Sequence, residues 1–166
     1  MDVIWQCEVY IFQLVYKQQE RDFTMDKDFW AKLEDDEQEM IKRMKEWGET
    51  GPVLQIPEGT KIIEKGAYAA RDDIARVVIP EGVVEIGDEA FIFCDQLVNV
   101  TLPSTLKIIG KSAFQECVNL EEIILPEGLE EIGFAAFCNC LSLSIESIPQ
   151  GAKIGELAFH HTKVKN

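Results

Sequence analysis

From residue 57 onward the apolar positions of this chain recur every 23 residues, with Pro57, Pro80, Pro103, Pro126 and Pro149 marking the period. Six residues after each of the first four prolines stands an isoleucine (Ile63, Ile86, Ile109, Ile132). Eleven after comes an aromatic preceded by alanine (Ala67-Tyr68, Ala90-Phe91, Ala113-Phe114, Ala136-Phe137), and seventeen after comes Ile74, Leu97, Leu120 or Leu143. Each unit closes on a β-rich piece such as VNVTLP or EEIILP, whose alternation predicts a short strand. A unit this small cannot bury its apolar face alone, so the copies must stack, and the pattern predicts a solenoid. The aromatics then form one interior spine, the alanines admit a close neighbour, and Gly87, Gly110 and Gly133 are expected to permit a sharp turn.

Before residue 51 the pattern is different. WQCEVYIFQLVY suits a strand by composition. On a helix, however, Trp5, Val9, Phe12 and Tyr16 line one face while Asp2, Gln6, Gln13, Lys17 and Glu20 collect on another, which predicts a helix over residues 1–22. Thr24 or Asp26 caps a short helix carrying Phe29, Trp30 and Leu33. A further helix begins at Asp35 or Asp36, carries Met40, Ile41, Met44 and Trp47 as its apolar stripe, and is expected to stop at Gly48. After the Gly51-Pro52 break, VLQIP matches the strand that precedes each later proline. The chain thus divides into a helical capping segment, 1–50, and a solenoid, 51–166, of about five strands. An open solenoid end exposes apolar side chains and unpaired strand groups and needs a cover. The competing reading is that the Trp, Met and Phe residues of this segment bind on their own account.

The units IPEGVVEIGDEAFIFCDQLVNVTLP and LPSTLKIIGKSAFQECVNLEEIILP resemble the leucine-rich repeats of the bacterial surface antigen (BspA-like) type, whose pattern is IG-x-x-AF-x-x-C-x-x-L-x-x-I-x-LP. The resemblance spans about Pro57 to Phe159. It implies an α+β repeat fold here, a right-handed, curved leucine-rich-repeat solenoid with a strand of each unit on its concave face. It also implies a role in binding proteins, often as a cell-surface adhesin. The departures are local: Glu64 replaces the glycine and Arg71 the cysteine of the first unit, Glu146 stands where Val100 and Ile123 stand, and the last unit is one residue short. The strand around Glu146 is therefore expected to be shifted or bulged, and the atypical end units to act as caps.

In L-x-x-I-x-LP the leucine and isoleucine point inward, so the residues between them face out on the concave side. Three rows result: Ala75, Val98, Glu121 and Ser144; Arg76, Asn99 and Glu122; Val78, Thr101, Ile124 and Ser147. The candidate protein-binding residues are Arg76, Val78, Val98, Asn99, Thr101, Glu121, Glu122, Ile124 and Ser147, on a ribbon about 20 Å across that suits a helix or loop of another protein. Glu81, Glu85, Glu127, Glu130 and Glu131 are expected to edge it with negative charge, or simply to be solvated.

Charge sharpens this picture. Sixteen Lys and Arg against thirty Asp and Glu give a net charge of −14. Such a field repels nucleic-acid phosphates and anionic lipid and speeds encounter with a basic protein, besides keeping the chain soluble. Of the five cysteines, Cys94, Cys117 and Cys140 share one repeat position and read as stacked interior thiols in a reducing compartment, not as disulfides. Cys138 and Cys140 with His160 and His161 form the one grouping that suggests zinc, but the Cys-x-Cys spacing is atypical and adjacent histidines diverge, so no metal is expected. There is no glycine-rich phosphate loop, nucleophile elbow or His-x-x-x-His pair, and only two histidines, which argues against an enzyme and against a cofactor.

The run Val3–Tyr16 is too short and too polar to cross a bilayer, and the start lacks the features of a secretory leader. The expectation is a cytoplasmic, non-enzymatic protein-interaction module, an acidic inhibitor or immunity-type partner of a basic protein, with a nearly complete solenoid. The alternative is an adhesin-like structural segment of a bacterial surface protein, displayed on the cell surface if a leader has been removed.

Overall fold

The alternating closing piece of each unit forms strands that stack in parallel along the molecule. The structure, a computed structural model, describes residues 38–39, 42–43 and 46–164, and the architecture below belongs to the unit that begins at Lys42. The helices expected over residues 1–22 and 24–33 lie outside the described residues. A long sheet contains β1 (Val53–Gln55), β3 (Arg76–Val78), β5 (Asn99–Thr101), β7 (Glu122–Ile123), β9 (Ser144–Ile145) and β11 (Lys163–Val164), paired in that order. A second sheet is made by the stretch after each proline: β2 (Ile62–Ile63), β4 (Glu85–Ile86), β6 (Ile108–Ile109), β8 (Glu131–Ile132) and β10 (Lys153–Ile154). Every pairing is parallel, and neighbours in a sheet come from successive units, as a solenoid requires.

Between the sheets the core is built from the same positions of every coil. Phe91, Phe114 and Phe137 are fully buried with Ile86, Ile109 and Ile132. The rings of Tyr68, Phe91, Phe114, Phe137 and Phe159 stack with centroids 5.2–5.6 Å apart and planes within 13° of parallel. Ring spacing therefore repeats the spacing of the coils. Beside the rings runs a second ladder, in which the thiols of Cys94, Cys117 and Cys140 donate to the carbonyl oxygens of Tyr68, Phe91 and Phe114 at 3.2, 3.1 and 3.0 Å. The shortened last coil continues it with a different residue: the hydroxyl of Thr162 donates to the carbonyl of Phe137 at 2.7 Å.

The glycine position has a different cause from the one expected. Gly87, Gly110, Gly133 and Gly155 are absent from the residues with positive φ, so no left-handed turn requires them. A Cβ on any of them would instead lie 2.5–2.7 Å from backbone atoms of the preceding coil. Glu64 occupies this position in the first unit, where no earlier coil of the repeat lies against it. The sharp corners fall elsewhere, at two left-handed positions shared by all five coils, with a further positive φ at Gly59, Gly82 and Gly151 in three of them. One set is Gly66, Glu89, Ser112, Ala135 and Leu157; the other is Ala70, Phe93, Glu116, Asn139 and His161. Most are not glycine, and in the first four coils the amide of each donates to a carbonyl of the next coil, for example Glu89 N–H to Lys111 and Phe93 N–H to Gln115, at 2.8 and 2.9 Å, which holds the strain.

The last expected helix also ends later than its glycine suggested. Residues 46–50 are helical, and the Gly51 amide donates to the Trp47 carbonyl at 2.7 Å, so the stop is at Gly51. Gly48 and Gly51 serve contact instead: a Cβ on Gly48 would meet Val98 Cγ1 at 2.8 Å, and one on Gly51 would meet Ala75 Cβ at 2.5 Å. The indole N–H of Trp47 donates to the carbonyl of Gln96 at 3.0 Å and fastens this turn to the solenoid.

Candidate functional site

The strands of the long sheet are two or three residues long, so each offers its outer face one or two side chains. Its inner row is Val77, Val100, Ile123 and Ile145, all buried. The outer side carries the row Val53, Arg76, Asn99, Glu122, Ser144 and Lys163, set by the register Val53–Arg76, Arg76–Asn99, Asn99–Glu122, Glu122–Ser144 and Lys163–Ser144. A second outer row runs Gln55, Val78 and Thr101 and continues at Ile124, the residue after β7, which is 77% exposed.

Two of the nine candidate residues leave this face. Val98, expected to point outward with Ala75, is 2% exposed, and Ala75 is fully buried. Both lie under the turn at residues 46–51, because Gly48 and Gly51 allow the helix backbone to rest directly on them. Ser147 is exposed but out of register. One residue is missing between Leu143 and Ile145, so Ser144 pairs with Glu122 rather than falling beside Glu121. The residue two beyond Ser144, matching Ile124 two beyond Glu122, is Glu146. The shift expected around Glu146 is thus present, with Ile145 buried in the place of Ile123 and the compensating residue inserted before Pro149.

Charge on this face is mixed. Arg76 sits towards one end and extends an Nη2 donor to the Gly51 carbonyl at 3.3 Å, which places its charge beside carbonyls at the end of the helical turn. Its Nε is enclosed without a partner. Glu121 is half-buried and Glu122 exposed, and neither carboxylate has a hydrogen-bond or ion-pair partner among the described residues. Other acids are committed to the solenoid itself. Glu81 accepts from the Ser104 amide and hydroxyl at 2.9 and 3.0 Å, Asp88 accepts from the Lys111 amide at 2.7 Å, and Glu130 pairs with Lys107 at 3.2 Å. The Ser104 bonds, amide first and hydroxyl second, hold the Glu81 carboxyl below its ordinary range. The acids expected to edge the concave strands are elsewhere, since Glu85 and Glu131 lie in β4 and β8 of the second sheet.

Around His161 and Cys140 the side chains are organised by hydrogen bonds. Asn139 donates through Nδ2 to Glu116 at 2.6 Å and offers Oδ1 to His161 Nδ1 at 2.7 Å, so that nitrogen carries the proton. The rings of His160 and His161 do not diverge; their centroids are 3.9 Å apart. Cys140 is turned inward to the Phe114 carbonyl, and burial pushes its thiol up to about 12. Burial likewise raises Cys117. Among the described residues no cluster of three His, Cys, Asp or Glu side chains converges as a metal site, and no helix is long and apolar enough to cross a membrane.

Sequence reasoning missed Gln55, Val53, Lys163 and Thr162. Aligning the first strand VLQ and the shortened last unit with the repeat exposes all four.

A family model for the BspA type leucine rich repeat region matches residues 53–166 in six copies. Among solved structures, the leucine rich repeat protein of T. pallidum is 32% identical with a TM-score of 0.63 over 66% of this chain and 54% of its own. A leucine rich cell surface protein of Faecalibacterium prausnitzii is also 32% identical, with a TM-score of 0.63 over 69% of this chain and 32% of its own. A leucine-rich repeat protein of Bacteroides ovatus is 30% identical, with a TM-score of 0.52 over 68% and 35%. The chain thus spans about half or less of the length of these structures. No curated protein matches it.

Proposed function

The chain belongs to the BspA-type leucine-rich repeat family, and from that premise we propose that it is a non-enzymatic protein-interaction module that binds through the outer face of its long sheet. The contact residues are Arg76, Val78, Asn99, Thr101, Glu121, Glu122 and Ile124. The observation that carries this reading is Ile124, a large apolar side chain 77% exposed, close in sequence to the carboxylates of Glu121 and Glu122, which have no partner among the described residues. An exposed apolar anchor within a charged rim is how interaction hot spots are built. The net charge of −14 supports a basic partner, held as an inhibitor or immunity-type protein holds its target, inside the cell. Residues 1–50 act as a cap in this reading, supported by the seating of residues 46–51 on Ala75 and Val98.

A second reading, a surface-displayed repeat segment, is favoured by one comparison: the F. prausnitzii relative is described as a cell surface protein. Affinity capture from native lysate, comparing the wild-type chain with the double variant Glu122→Lys, Ile124→Arg, tests the face. The expected result is one or more proteins captured by the wild type and lost by a variant that keeps its circular dichroism spectrum. Capture that is unchanged in the variant would remove this face from the proposal. Fractionation of cells producing the native gene product separates the intracellular from the surface reading.

A further inference from the structure

The outer face of the long sheet is long in one direction and narrow in the other. Six parallel strands at about 4.8 Å give a length of about 24 Å, while two outward residues per strand give a breadth of about 7 Å. A globular patch or a sheet packed face to face cannot use so narrow a strip. An extended peptide lying along it would run across the strands and find none of their backbone groups free, because these are paired from coil to coil. A single α-helix fits: about 16 residues rise 24 Å, on a body about 10 Å wide.

The side chains set the chemistry of that helix. Val78 and Ile124, both exposed, belong to one outer row and are two strands apart, about 10 Å. Residues i and i+7 of a helix lie on one face about 10.5 Å apart. Glu122, two residues before Ile124, and Glu121 before it carry carboxylates that no described side chain neutralises, whereas the positive charges of the row stand away from Ile124, Arg76 two strands to one side near Gly51 and Lys163 two strands to the other.

Resting on the protein-binding reading of this face, we infer that its occupant is an amphipathic α-helix lying along the coil stack. It presents apolar residues at i and i+7 to Val78 and Ile124, and a lysine or arginine beside the second of them to Glu121 and Glu122.

The test uses three synthetic 16-residue peptides and the full chain. The first carries leucines at i and i+7 and lysines at i+4 and i+11 on an alanine-rich helical background. The second replaces both lysines by glutamate, and the third places a proline at the centre. Titration is followed by amide chemical shifts. The first peptide is expected to shift Val78, Thr101, Glu122 and Ile124, and to bind at least about tenfold more tightly than either control. Ile124→Arg is expected to weaken it by about tenfold or more.

Equal binding of the proline peptide overturns the helix, and equal binding of the glutamate peptide overturns the charge assignment. If no peptide shifts the face up to millimolar concentration while lysate capture still depends on Ile124, the helix inference falls and the binding face stands. Capture that does not depend on Ile124 removes the face itself.

Discussion

Gly110 rests against Gly87 of the preceding coil so closely that a Cβ on Gly110 would sit 2.6 Å from the Gly87 carbonyl carbon. The two backbones touch because Gly110 has no side chain to hold them apart; a Cβ on Gly87 would point at the coil before it instead. Gly110→Ala is therefore expected to destabilise the solenoid by about 1–3 kcal/mol, the usual cost of overpacking a close contact. Glu64→Gly, at the same repeat position of the first unit, should cost no more than the few tenths to 1 kcal/mol of added chain freedom. Urea unfolding of the two variants checks the contrast. Equal losses in the two variants would show that the close approach of the coils does not set the cost at this position.

The aromatic stack predicts a graded series. Phe114 is fully buried between Phe91 and Phe137, and Phe114→Ala should cost about 3–5 kcal/mol. Phe159 has a stacked ring on one side among the described residues and is only partly buried. Phe159→Ala should cost less than half as much, read from the same unfolding curves.

The thiol ladder predicts silence towards alkylation. Cys117 and Cys140 are fully buried, burial raises both, and Cys140 reaches about 12, so almost no thiolate exists at pH 8. In the native protein, iodoacetamide at pH 8 should leave both unmodified in site-resolved mass spectrometry, and full modification should follow in 6 M guanidinium. Cys140→Thr should be better tolerated than Cys140→Val, since Thr162 already makes the same carbonyl bond in the last coil.

Acid should loosen the bond between the second and third post-proline turns. The Ser104 amide and hydroxyl depress the folded-state pKa of Glu81. A depressed carboxyl contributes stability that is fully present above its unfolded pKa, about 4.3, and is lost as pH falls through the lower folded value. Glu81→Gln should flatten the pH dependence of unfolding below about pH 4.5 and leave the neutral range nearly unchanged. Because the side chain is exposed, the effect is expected to be small.

Much of the fold was legible because a stacked repeat writes its packing into its period. The rings, the inward isoleucines and the cysteine ladder each occupy one position in every unit, and the strands follow from local alternation. The register of β9 was harder to read, because the prolines keep their spacing at Pro126 and Pro149 while a residue is lost before Ile145 and regained after it. The outer face shows the same division. Arg76, Asn99 and Glu122 align by period alone, but period cannot say what lies on top of a position.

Sequence by itself determined that 23-residue units stack in parallel, which residues face inward, and that Glu122 and Ile124 point away from the core. These are consequences of local pattern repeated at a constant interval. Only the tertiary structure decided that Val98 is covered, that the glycines serve coil-to-coil approach, and that among the described residues Glu121 and Glu122 keep their charge uncommitted while Glu81 and Glu130 do not. Such facts depend on which chain segment comes within a few ångströms of another, and no spacing along the sequence encodes that distance.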